Sequence, residues 1–122
     1  MNRITVNGNL GADAELKYSQ AGMAILKLRV ADSYGRDDKR TTIWHNVTAF
    51  GDLAENAAGS LTKGNRVMIE GRLTEDNYTN KEGVEVKRYE ILADDIAMSL
   101  RFANTDSVER TQAAPAPAEE PF

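Results

Sequence analysis

The residues with reactive side chains are few in this sequence, and their spacing does not assemble a catalytic or metal site. A single histidine, His45, stands without cysteine or a second histidine with which to share a metal. As a general base it would need an orienting acid and a nucleophile, and no spacing supplies either. Asp37-Asp38 and Asp94-Asp95 read as solvated loop and strand-end charges rather than as ligands. The run GSLTKGNR contains Gly and Lys without the spacing of a phosphate cradle. Asn46-Val-Thr and Asn77-Tyr-Thr fit the glycosylation pattern, which is inert in a cytosolic chain. The pattern excludes a cofactor and a metal and points away from an enzyme. What remains is stacking. In TTIWHNVTAF (41–50), strand alternation places Ile43, His45, Val47 and Ala49 on one side. Thr42, Trp44, Asn46, Thr48 and Phe50 fall on the other. The only tryptophan and one of three phenylalanines thus share a polar, wet face. A core would bury such rings, whereas rings left out in this way can stack on the bases of unpaired nucleic acid. Packing of this face against a helix or another subunit is the competing reading.

The elements that must carry these rings are mostly strands. Around RITVNGNL (3–10), Ile4, Val6 and Leu10 alternate with polar residues, with Gly8 in the apolar register where it permits a bend. AELKYS continues beyond that bend, and Ser19-Gln20-Ala21-Gly22 turns the chain. Over 24–34, Leu26, Leu28 and Val30 face one way and Ile25, Lys27 and Arg29 the other; this strand pairs antiparallel with 41–50 across the loop GRDDKR. Asp52 and Glu55 have capping-box spacing. Leu53, Ala57 and Leu61 lie on one helical face, and Lys63-Gly64 supplies a cationic last turn and a stop, so the spacing predicts one short helix over about 53–62. Val67, Ile69 and Leu73 mark a fourth strand with Gly71 in register, NYTNKEG (77–83) a hairpin loop, and Tyr89 and Ile91 one side of a long fifth strand. From Asn104 the pattern stops, and TQAAPAPAEEPF is too poor in apolar surface to offset the entropy of ordering it. The expected fold is all-β: a five-stranded OB-fold barrel with one short helix between strands 3 and 4 and a disordered C-terminal tail. The division is 1–103 for the barrel and 104–122 for the tail.

At 122 residues this is one domain's worth of chain, with no cysteine and hence no disulfide framework. No apolar run approaches the roughly 20 residues that a membrane helix needs, and MNRITVNGNL lacks the pattern of a secretory signal. A cytoplasmic location is expected, with no membrane partner. The net charge of −4 is concentrated at the end of the chain: residues 1–103 carry 14 basic and 15 acidic side chains. Composition leaves the partner open.

GNLGADAELKY, WHNVTAFGDLAENAAGSLTKGNRVMIEGRL and YEILADDI, in this order, resemble the bacterial and bacteriophage single-stranded DNA-binding protein family over about residues 2–102. AEEPF resembles that family's acidic tip ending in Pro-Phe. The resemblance implies base stacking by Trp44 and Phe50, a further ring in Tyr78 at the hairpin tip, and another in Tyr34 near the end of the second strand. It implies phosphate contacts at Arg3, Lys17, Arg66 and Arg72. It also implies that Glu119, Glu120, Pro121 and Phe122 dock on replication and repair proteins, the acids meeting a basic rim. A homo-oligomer follows, most often a tetramer, with a dimer as the alternative; the location would be nucleoid-associated, or host cytoplasm for a phage protein. The implied function is to bind and protect single-stranded DNA without strong sequence preference during replication, recombination and repair. An adaptor of primosome assembly or replication restart and an RNA-binding OB protein are the rival readings. This chain departs from the family in its tip, which holds fewer acids than is common, and in three further ways. Asn46 stands where a basic residue is frequent, Glu75 and Asp76 flank Tyr78, and the linker is short and Ala-Pro-rich. Stacking should therefore outweigh phosphate contacts, and the salt dependence should be shallow.

Overall fold

The computed structural model describes residues 1–109 and residue 111. Alternation makes the strands. In β3 (Ala24–Tyr34) the side chains of Ala24, Leu26, Leu28 and Val30 are buried, while Lys27 and Arg29 between them are exposed. In β1 (Ile4–Leu10) Val6, Gly8 and Leu10 are inside. β4 (Thr41–Phe50) contributes Val47 and Ala49, β5 (Arg66–Thr79) contributes Val67 and Ile69, and β6 (Glu85–Met98) contributes Ile91. Leu26, Ile69, Ile91, Val30, Val47 and Val67 are the largest fully enclosed side chains. Each stabilises the fold by about 1.5–3 kcal/mol relative to exposure.

The pairings close on themselves. β1 lies antiparallel to β5 from Ile4↔Gly71 to Asn9↔Arg66, and touches β3 through Asn9↔Ala31 and Leu10↔Val30. β3 runs antiparallel to β4 without a slip from Ile25↔Phe50 to Tyr34↔Thr41. β5 and β6 form a long hairpin, and β6 returns to β4 through the parallel pairs Val47↔Ile91 and Thr48↔Leu92. The circuit is thus β1–β5–β6–β4–β3–β1. A bulge at Glu70/Gly71 lets β5 turn; a Cβ at Gly71 would run into the carbonyl oxygen of Leu92.

Four local expectations are corrected. The stretch beyond the first bend is a strand of its own, β2 (Glu15–Tyr18), paired only with β3, so the sheet has six strands rather than five. The helix, α1 (Gly51–Ser60), begins at Gly51 with Phe50 as N-cap, a residue whose side chain makes no capping hydrogen bond. Asp52 lies inside the first turn instead, where the helix dipole favours a carboxylate. The cationic last turn is absent as well. Leu61 closes the helix on the Ala57 carbonyl, and the next amides are taken by side chains: Thr62 N–H donates to Asn65 Oδ1 and Lys63 N–H to Asp13 Oδ1. Finally, the hairpin loop is shorter than expected. β5 runs on to Thr79, and Asn80 makes the turn by accepting the amides of Glu82 and Val84 on its side chain. The helix nevertheless covers the core with the expected side, Ala57 and Leu61 buried beside Ala54, with Leu53 partly so.

Candidate nucleic-acid interface

Because Val47 and Ala49 point into the core, the even-numbered residues of β4 face the other way. Thr42, Trp44 and Phe50 are exposed there and Asn46 is half-buried, but Thr48, expected on a wet face, is covered at 3% exposure. Trp44 and Phe50 are each 48% exposed. Six positions apart, they stand about 20 Å from each other along one strand. The inward side is less regular. Ile43 is 44% exposed and His45 half-buried, because the β3–β4 ribbon runs past the end of the core. There His45 Nε2 lies 3.3 Å from Asp32 Oδ2, a polar pair where a hydrophobic contact would have no partner.

Trp44 faces the small side chain of Ala31 across the ladder, and its ring lies close against Gly11. A Cβ at Gly11 would meet the far edge of the indole, so a side chain added here would displace the ring from its present position. The Arg29 guanidinium carbon sits 4.9 Å from the indole centroid, a cation–π contact.

Register determines which of the expected residues join these rings. Lys17 pairs with Ile25, which pairs with Phe50, so Lys17 lies on the same face two strands away. Arg66 is linked to Trp44 through the row Arg66–Asn9–Ala31–Trp44. Arg72 pairs with Leu92 and Leu92 with Thr48, which carries Arg72 onto that face, and Tyr78 follows by alternation. Tyr78 is 47% exposed and stands within β5 opposite Val86, not at the hairpin tip. Tyr34 is exposed too, but alternation sets it with Asp32 and Val30 on the opposite side of the ribbon from Trp44.

The expected cations differ in how free they are. Arg3 forms ion pairs with Glu70 and, at 3.4 Å, with Asp94. The hydrogen bond that Arg3 donates to Glu70, and then the Glu70 charge, hold the guanidinium pKa above its ordinary value. Arg66 is half-buried, with the Phe102 ring 5.8 Å away, and Ser99 N–H donates to its carbonyl. It also lines a polar depression of about 430 Å³ with Asn7, Asn9, Ser33 and Arg40. Lys17 and Arg72 belong to no ion pair among the described residues. Arg29, Arg40 and Gly11 are additions that the sequence reading missed. Arg29 was within reach of it, since alternation already put this residue on the polar side of its strand; Gly11 and Arg40 are brought in only by the fold. Glu119, Glu120, Pro121 and Phe122 lie outside the described residues.

The family model described as the single-strand binding protein family matches residues 1–99. A single-stranded DNA-binding protein of Xanthomonas campestris pv. campestris is 41% identical over 103 residues, covering 80% of this chain and 60% of that protein. One from Corynebacterium glutamicum is 37% identical over 115 residues, 88% of this chain and 51% of the relative. One from Paenarthrobacter nicotinovorans is 39% identical over 116 residues, 89% and 68% of the two chains. The chain therefore spans about half to two-thirds of the length of these relatives.

Proposed function

The chain belongs to the single-strand binding protein family, and on that premise we propose that it binds and protects unpaired DNA without strong sequence preference, as a non-enzymatic coat. The observation that carries this reading is the pair of half-exposed rings, Trp44 and Phe50, on one outward face of β4. Bases stack on such rings at about 1–3 kcal/mol each, with little regard for which base it is. Tyr78 extends the stacking path, and Lys17, Arg66 and Arg72 on the same face hold the backbone. A duplex hides its base faces, so stacking itself selects the unpaired strand. The closed circuit of pairings supports an OB-fold barrel, and the division into a barrel of 1–103 and a tail of 104–122 rests on the sequence pattern.

The remaining parts of the reading rest on the family resemblance. The barrels assemble, as a tetramer or a dimer, so that one strand crosses several grooves in the cytoplasm. The tip Glu119-Glu120-Pro121-Phe122 recruits proteins of replication, recombination and repair. Deleting these four residues should leave affinity for DNA intact and abolish partner capture in a pull-down.

The test of binding is competition for a fluorescent oligo-dT followed by anisotropy. Unlabelled oligo-dT should displace the probe at far lower concentration than a duplex of the same length. Equal competition by duplex would contradict stacking, and stronger competition by the matched RNA would transfer the reading to RNA.

A further inference from the structure

The Arg29 side chain lies against the ring of the proposed stacking site and takes part in no side-chain hydrogen bond among the described residues. Its guanidinium lies over the Trp44 ring, 4.9 Å from the centroid. It takes part in none of the ion pairs among the described residues, which are Arg3–Glu70, Arg3–Asp94, His45–Asp32 and Lys87–Glu75. Its backbone is fixed by the same segment that cradles the indole, since Gly11 N–H donates to the Arg29 carbonyl at 2.9 Å. Resting on the proposed binding of unpaired DNA, we propose that Arg29 is the phosphate-neutralising contact of the Trp44 subsite. In the free chain it is stowed on the indole, and it passes to a backbone phosphate when a base takes the ring.

The chemistry favours this exchange. A cation–π contact at a half-exposed ring is weak, whereas a guanidinium on a phosphodiester gains charge–charge attraction and two parallel hydrogen bonds. A phosphate of the strand necessarily lies within a nucleotide's length of the stacked base, and Arg29 is already at that ring. Arg3, by contrast, would have to leave two carboxylates before it could serve a phosphate. The stowed position also has a use. A cation on the indole keeps the ring covered and oriented until a nucleobase, another flat partner, replaces it.

The test compares the full chain with its Arg29→Met and Arg29→Lys variants, measuring oligo-dT affinity from low to moderate salt. Removing the charge should reduce the steepness of log affinity against log salt by about 0.7, the value of one phosphate on a single strand. Affinity should fall several-fold at low salt, and R29K should restore the slope. Acrylamide, a neutral quencher, should quench Trp44 emission more readily in free R29M than in the free parent chain. An unchanged slope with R29M, or tighter binding because the ring has merely been uncovered, would overturn the inference while leaving stacking intact. Failure of the parent chain itself to bind oligo-dT would instead strike at the reading on which the inference rests.

Discussion

The ribbon of β3 and β4 and the corner where β1, β5 and β6 meet present the same kinds of side chain in opposite ways. On the ribbon, Trp44 and Phe50 are half-exposed, and the neighbouring cations Arg29 and Lys27 form no ion pair among the described residues. At the corner, Arg3 is locked to Glu70 and Asp94. Farther along the β5–β6 arm, Lys87 lies 3.8 Å from Glu75, and Arg88 stands opposite Asp76. The ribbon thus keeps Arg29 and Lys27 available beside its exposed rings, while Arg3 at the corner and Lys87 on the arm are offset by carboxylates. Net charge alone would not reveal such a surface, because binding depends on which cations lack a carboxylate neighbour. Exposed ion pairs add little to stability, so the corner's pairs matter more for what they withhold from a ligand than for holding the fold together.

The largest test of this contrast removes the rings. Trp44→Ala with Phe50→Ala should weaken oligo-dT binding by about 2–6 kcal/mol, the sum of two stacked bases, while the melting temperature changes little because neither ring is in the core. Next in size is the difference between two tyrosines. Tyr78→Ala should cost about 1 kcal/mol of binding, at the low end for a stacked base, because Glu75 and Asp76 beside it repel the backbone. Tyr34→Ala should cost less than Tyr78→Ala, since the ladder sets Tyr34 on the other side of the ribbon from Trp44. The smallest effect comes from the corner. Glu70→Gln with Asp94→Asn should release Arg3 and steepen the salt dependence by about 0.7, one further phosphate. No steepening would mean that Arg3 is out of reach of the strand, whether paired or not.

Much of this could be read from the residues themselves. Period-two alternation located β3 and β4 to the residue, because an uninterrupted ladder with one buried face leaves no freedom of register. It also exposed Trp44 and Phe50 as misfits among polar neighbours. The ends of elements were less legible. Asp52 and Glu55 have the spacing of a capping box, yet the chain enters the helix two residues earlier, and the competing side chains of Asp13 and Asn65 fix its exit from outside. The fate of each cation could not be read at all. Arg3 and Asp94 are separated by most of the domain, and only the β1–β5–β6 pairing brings them together. The closeness of Gly11 to the indole is likewise a product of chain crossing, invisible to any local pattern.

Binding through stacking requires that nucleobases cover an indole that the fold leaves half-uncovered. Trp44 is the only tryptophan, so its fluorescence reports on that ring alone. Titration of the full chain with poly-dT should quench the emission strongly and saturably, and a matched duplex should leave it nearly unchanged. Tight binding of poly-dT with no change in Trp44 emission would contradict binding through stacking.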